Sequence, residues 1–599
     1  MKKTIISACA LAFAGIAMLS LQSCGDELKP YPWIADDDSQ SSENLGATDM
    51  DALEKQMRRG IPYMLNYTKG GQEWTPHGYQ YDRANSIDNY AGYWTTTKAN
   101  FAFGPALPTL YTEDNGYMGG CAETSVFLYC KDALFSWNVA KYKDAKTGKE
   151  TLQPRPEWRA IALICEAYVA HEYVDAFGAM AFNDLRNQKR TTPYNYESGP
   201  AVYKQIFADL DEAIVLLKEA QPSPSDLQRV ETAFEQLTVT GWEWRNWVKF
   251  ANSIKLRMAM NMVNYIDPDP VYVSNDGQTQ KPFISQNIAE EAVNDDIGVL
   301  LPSDPRDIAH TNMVNNCVWF FLGNSWNDIR LNASLENILK HFKSPLLNEW
   351  FDENQYNIKN SQGVTAPTGV YGVRSGIYME DTGGPDKGGY GPFAQLSARH
   401  QYMNEPFFKR TEATFLRAEG ALRGWNMGGS AQELYEAGIR LSMNEYGIDE
   451  AAIEAYLAQD ELPAVEYRDY YKRENDIMGR VKVGVKWNEA DDKEVKLEKI
   501  ISQKYIANFP MGAEAWTTFR RTGYPRLFPV KVNNMMNVDT EMQIRRESFV
   551  QNPNNGAEIA QITELLGGTQ DCGTRVFWDV LSATWAKDAA TGQYIPKNF

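Results

Sequence analysis

Apolar residues recur along much of this chain at the three-to-four-residue spacing of a helix. Within Ala201 to Ala220, Val202, Ile206, Leu210, Ile214 and Leu217 fall on one face, and Asp and Glu residues fill the other. Trp247, Ala251, Ile254 and Met258 make a second stripe. Ile161, Cys165, Tyr168 and Glu172 lie on one, mostly apolar, side of a third helix. Phe415, Ala418 and Leu422 begin a fourth, and Leu434, Gly438 and Leu441 a fifth. Between these last two runs Gly424-Trp-Asn-Met-Gly-Gly-Ser430, in which Gly and Asn can end one helix in a left-handed turn and Ser430 can cap the next. Thr411 to Tyr446 therefore reads as a helical hairpin, close in length to the ~34-residue tetratricopeptide unit. Small residues Ala413, Ala418, Gly420 and Ala421 let its helices approach closely. Trp158, Trp247, Trp425 and Trp516 lie on helices or at their ends and read as packing residues.

Two stretches show few such stripes. Residues 60–120 and 300–405 are rich in Gly, Asn, Tyr and Trp, and Ser361 to Gly369 and Gly383 to Gly391 carry turn chemistry. Long loops on a rigid scaffold are where binding tends to sit. The expected fold class is mainly α: tetratricopeptide-like helix pairs form a scaffold with large loop-rich insertions, in one domain over 46–599.

The chain begins with Lys2 and Lys3, then an uncharged apolar run from Ile5 to Leu21 ending at Leu21-Gln-Ser-Cys24. This is the layout of an export signal over 1–23, and a Cys directly after the cut marks a lipoprotein whose thiol is acylated. Residues 24–45, with Asp36-Asp-Asp-Ser-Gln-Ser-Ser-Glu43, are too polar to fold and read as an acylated, flexible tether. Nothing after the signal is apolar for long enough to span a bilayer. The formal charge of -19, made more negative by loss of Lys2 and Lys3, argues against nucleic acid as a partner, since phosphate binding needs clustered Lys and Arg. Past Cys24, the cysteines Cys121, Cys130, Cys165, Cys317 and Cys572 are odd in number and lack CxxC spacing, so they form neither a disulfide framework nor a zinc site. Cys121 and Cys130 either pair or stay as buried thiols.

Sugars present C–H faces that stack on aromatic rings and hydroxyls that need polar side chains beside those rings. With 16 Trp, 32 Tyr and 25 Phe, the chain has rings to spare, and the two loop-rich stretches put polar residues next to them. The first offers Trp74, His77, Tyr79 and Tyr81. The second offers Asn312, Asn315, Trp319, Trp326, Asn327 and Arg330, with Tyr371 and Arg374 as additions. For each ring the competing assignment is the core. Enzyme-like signals do not complete themselves. His171-Glu172 lacks the second His one turn on, where Asp175 stands; the Gly383 to Gly391 run has neither nucleotide-binding context nor GK[ST]; Asp267-Pro-Asp269 fails as a calcium loop at Val271. No catalytic residue, metal ligand or cofactor site is expected. A carboxylate pair of the glycosidase kind stays open, because any two acids can meet in space.

Several segments together resemble the SusD/RagB-type nutrient-binding outer-membrane lipoproteins, in the SusD-like branch. They are Asp175 to Gly178, Ile206 to Ala213, Trp247 to Ala259, Glu412 to Trp425, Leu434 to Ser442, Ile500 to Ala507, Glu514 to Trp516, Arg520 to Pro525, Leu566 to Gly568 and Thr574 to Asp579. Lys343-Ser-Pro-Leu346 departs from the family's usual Asp-Pro-Arg turn. The resemblance implies a surface-exposed, lipid-anchored outer-membrane protein that lids a SusC-like TonB-dependent barrel transporter and hands it oligosaccharides or, in some branches, peptides. Glycan capture is the leading expectation, peptide capture the second, and a surface glycan-processing enzyme or a ligand-free structural protein the remaining alternatives.

Overall fold

The computed structural model describes residues 79–96, 156–187, 189, 192–231, 242–310, 316–353, 358–378, 389–460, 462–549 and 551–599. Cys24, the tether, Trp74, His77, Asn312, Asn315, Cys121 and Cys130 lie outside the described residues. The main helices are α1 (Pro156–Phe177), α2 (Gly199–Ala220), α3 (Trp244–Asn261), α4 (Ser285–Asn294), α5 (Ala333–His341), α6 (Arg410–Leu422), α7 (Ala431–Asn444), α8 (Lys493–Asn508) and α9 (Gly512–Thr522). Strands among the described residues form only two-stranded ladders, so the fold is mainly α, as expected.

The striped helices bury their stripes except at Glu172 of α1 and Leu441 of α7, which stay partly exposed. Val202, Ile206, Leu210, Ile214 and Leu217 of α2 are all buried, and α2 packs on α1 and α3. The α1 helix is buried on nearly every side, not along one face, so it is the central rod around which its neighbours assemble. In the hairpin, Ser430 caps α7: its hydroxyl accepts from the Glu433 amide at 3.2 Å, while the Glu433 carboxylate accepts from the Ser430 amide at 2.9 Å. Gly424, at φ +89°, makes the left-handed exit from α6. The closest approach of the pair is at Gly438, where a Cβ would lie 2.7 Å from the Phe415 ring.

The reading of 300–405 as almost free of helix is corrected by α5 and by the short helix Leu346–Trp350. Asn332 caps α5 by accepting from the Ser334 amide at 2.9 Å, and Leu335, Ile338 and Leu339 face inward. Within Lys343–Leu346, Lys343 sits at φ 49° just past the end of α5.

The core holds charge as well as hydrocarbon, and the charges are paired across helices. Arg257 of α3 donates to both carboxylate oxygens of Glu412 on α6, at 2.7 and 2.9 Å. Arg521 of α9 does the same to Glu419 of α6, at 2.6 and 2.8 Å. Asp175, near the end of α1, accepts from Tyr203 of α2 at 2.5 Å, Asn261 of α3 at 3.1 Å and Trp578 at 2.7 Å. Cys165 and Cys317 are buried free thiols, and Cys572 is buried.

Candidate functional site

The described parts of the two loop-rich stretches meet. Strand β1 (Trp94–Thr96) pairs antiparallel with β2 (Ile329–Leu331), setting Trp94 opposite Leu331 and Thr96 opposite Ile329. Just before β2 the chain makes a helical turn, Val318–Phe320, and a wider turn, Phe321–Ser325. This packing decides which aromatic rings remain accessible.

Trp319 does not offer a stacking face: its exposure is 0%. Its indole N–H donates to the Tyr79 hydroxyl at 3.1 Å, which in turn donates to Asp88 at 2.9 Å, and the Tyr79 and Trp319 rings meet edge-to-face at 5.8 Å. Tyr79 is buried too, and burial, reinforced by the Asp88 carboxylate, pushes its phenol well above the usual range. These two residues join the halves of the loop region from inside. The assignment fails for them because Asn and Gly neighbours make a sequence look exposed when the fold seals it from another segment. Tyr81 lies on the turn Gln80–Ala84, next to Tyr79.

Arg330 is likewise internal. Its guanidinium donates to the Gly391 carbonyl at 2.7 and 3.1 Å, to the Ile329 carbonyl at 2.7 Å and to the Asn327 side chain. It is a strut that ties β2 to the segment 389–395. Burial pulls its pKa down to about 9. Arg374 is a second strut, donating to the carbonyls of Asn475 and Pro529 at 3.2 Å each. Tyr371 is buried, its hydroxyl bonded to the Pro367 carbonyl at 3.0 Å and its face 4.6 Å from the Lys340 ammonium.

Trp326 and Asn327 remain at the surface. Trp326 is half-buried, held edge-to-face by Phe321 at 5.1 Å, with exposed Asn324 and Ser325 beside it. Asn327, at φ 61°, holds the turn open, and its side-chain oxygen accepts from Gln395 at 3.2 Å. A fixed ring beside amide and hydroxyl groups is the combination a sugar needs.

Two further rings escaped the sequence analysis. Tyr470 and Tyr471 are half-buried neighbours that pack edge-to-face on Tyr371 and Tyr390, at 4.9 and 5.1 Å. Their sequence signal is an adjacent aromatic pair between Arg468 and Lys472-Arg473.

The incomplete metal motif on α1 is explained by the interior. His171, Glu172 and Asp175 line a small internal pocket with Arg83, Glu514 and Arg520. Arg83 bonds Glu172 at 3.0 Å, and burial, with Arg257 nearby, lowers the His171 pKa to about 4. Among the described residues no His, Cys, Asp and Glu group is arranged to hold a metal ion, and no helix is long and apolar enough to cross a membrane.

Comparison with known proteins adds the family. The sequence profile of the SusD-like family, described as SusD and RagB outer membrane lipoproteins, matches residues 39–579. A chitin-binding SusD homolog from Flavobacterium johnsoniae is 31% identical, with a TM-score of 0.72 over 88% of this chain and 98% of its own. A SusD-like protein from Bacteroides thetaiotaomicron is 26% identical, with a TM-score of 0.70 over 87% and 98%. A SusD homolog from Bacteroides ovatus is also 26% identical, with a TM-score of 0.71 over 88% and 99%. No curated protein matches the chain. With nearly its whole length matched and its helices in the same arrangement, this chain belongs to the SusD-like family of outer membrane lipoproteins.

Proposed function

We propose that this protein captures oligosaccharides at the cell surface, tethered to the outer membrane through lipid on Cys24, and delivers them to a SusC-like TonB-dependent barrel transporter. Membership of the SusD-like family, whose 31% identical member from Flavobacterium johnsoniae binds chitin, is the observation that carries this reading. The local chemistry supports it: Trp326 supplies an apolar face, and Asn324, Ser325 and Asn327 supply donors and acceptors beside it. A sugar exchanges water bonds for protein bonds at little net gain, so stacking on few rings gives weak capture. The expected Kd is roughly micromolar to millimolar, or about -8 to -4 kcal/mol. Weak capture suits a protein that hands its cargo on. Binding needs no metal or cofactor and cleaves no bond.

The test is calorimetric titration with neutral and acidic oligosaccharides, chitin-derived ones included, with and without a chelator, followed by chromatography of the recovered ligand. Binding that survives chelation, with the ligand intact, is expected. Failure of every glycan to bind, or recovery of shortened products, overturns the reading.

A further inference from the structure

We infer that the loop carrying Tyr470 and Tyr471 is a second carbohydrate-contact surface, serving the longer chains among the glycans proposed above, and it rests on that reading. The observation behind it is how firmly this loop is built. Asp469 is 0% exposed. One of its carboxylate oxygens accepts from the backbone amides of Tyr471 and Lys472, at 2.9 Å each. The other accepts from the Tyr390 hydroxyl and the Asn475 side chain, at 2.8 Å each. The Asp469 amide itself donates to Asp476 at 2.8 Å, closing the loop on its far side.

The rings that this loop presents are fixed as well. Tyr471 packs at 79° to Tyr390, and a Cβ at Gly389 would lie 2.2 Å from its ring, so the ring rests on bare glycine backbone. Tyr470 packs at 64° to Tyr371. Each ring is supported from the protein side, and both residues are partly exposed. Cationic donors sit next to them: the Lys472 ammonium is 5.6 Å from the Tyr471 ring and the Arg473 guanidinium 6.0 Å from that of Tyr470. Apolar rings beside cationic N–H donors, with Arg473 also held by Asp476 at 2.6 Å, match a sugar's C–H face and its ring of hydroxyls. Locking the rings before binding removes much of the ordering cost that weakens contacts from flexible loops.

The platform is also mechanically continuous with the Trp326 turn. Segment 389–395 supports Tyr471 through Gly389, accepts from Arg330 at Gly391 and bonds Asn327 through Gln395. Two contact surfaces on one rigid support act as a bivalent site, whose advantage appears only for ligands long enough to reach both.

The experiment uses the full-length acylated protein in detergent micelles, titrated with hexasaccharides from chitin, cellulose and starch. The paired variants are Tyr470→Ala with Tyr471→Ala, and Tyr470→Phe with Tyr471→Phe. The alanine pair is expected to weaken hexasaccharide binding about tenfold, roughly 1.4 kcal/mol, while the phenylalanine pair, which keeps the rings, stays within about threefold of wild type. An alanine pair that melts like wild type and binds the hexasaccharide equally well overturns the platform. Should the alanine pair fail to fold, ring-labelled tyrosines in the wild type decide by NMR: shifts at Tyr470 and Tyr471 on adding hexasaccharide support the platform, and their absence overturns it. If the wild type binds neither these three sugars nor any other of the neutral and acidic oligosaccharides titrated above, the glycan-capture reading falls and takes the platform with it, which separates the two failures.

Discussion

At the scale of the residue, two tryptophans seven positions apart have opposite fates. Trp319 has no exposed surface and donates its N–H into the core, whereas Trp326 is half-exposed on the same loop. Replacing Trp319 with Ala removes a packed indole and the N–H that the Tyr79 hydroxyl accepts, at a cost of about 3–5 kcal/mol. Replacing Trp326 removes a ring packed on one side only and is expected to cost about 1 kcal/mol or less. Chemical denaturation checks the first, and titration with a glycan that the wild type binds checks the second. Trp326→Ala should lose affinity at nearly unchanged stability, and wild-type affinity in that variant would remove Trp326 from the site. The sequence could not separate this pair, because burial here is imposed by Tyr79 and Asp88, 240 and 231 positions away.

A buried acid gives a residue-scale prediction with a sign. Burial alone would raise the Glu419 pKa, but Arg521 and Arg423 outweigh it and hold the carboxyl at about 2. A folded pKa below the unfolded one, about 4.3, means that the native state favours the ionised form. That contribution is fully present above the unfolded pKa and is lost as pH falls from there toward 2. Glu419→Gln strands Arg521 in the core and should cost about 3–5 kcal/mol at neutral pH. It should also flatten the decline of melting temperature between pH 5 and 3, as followed by circular dichroism. A decline as steep as in wild type would show that other carboxylates govern acid unfolding.

At the scale of the element, the α6–α7 hairpin was legible because its signals are local. Gly424 ends one helix, Ser430 and Glu433 cap the next, and apolar residues mark the facing stripes. Leu434 is buried as its stripe requires, so Leu434→Ala should cost about 2–5 kcal/mol. Gly438→Ala adds a methyl where a Cβ meets the Phe415 ring at 2.7 Å, and this overpacking should cost about 1–3 kcal/mol despite the better helix propensity of Ala. Unfolding midpoints check both, and a Gly438→Ala protein more stable than wild type would mean that Phe415 repacks freely. α5 escaped the reading for the opposite reason. It is a nine-residue helix whose stripe, Leu335, Ile338 and Leu339, is too short to stand out in a loop-like stretch, although its cap, Asn332, was there to be read.

At the scale of the whole molecule, the order of helices and the family could be read from the sequence, while the assembly of the loop-rich face could not. β1 and β2 pair across 235 positions, and the struts Arg330 and Arg374 reach carbonyls 61, 101 and 155 residues away. Such contacts leave no periodic trace, so the sequence identified the two regions but not which of their side chains face outward. The proposed anchor, by contrast, lies in a few residues at one end. The proposal that Cys24 carries the lipid makes a claim about the entire protein: the membrane tie and the binding fold are separable. Two or more acyl chains hold a protein stably in a bilayer where one holds it only marginally, so losing the acylated thiol should lose the membrane altogether. Cys24→Ser is expected to take up no labelled palmitate and to leave the outer-membrane fraction. Its affinity for a glycan that wild type binds should remain within about twofold, or roughly 0.4 kcal/mol, because the side chains proposed to touch sugar belong to the folded body. Unchanged palmitate incorporation would move the lipid to another residue. Release accompanied by lost binding would mean that the tether or the membrane surface itself completes the site.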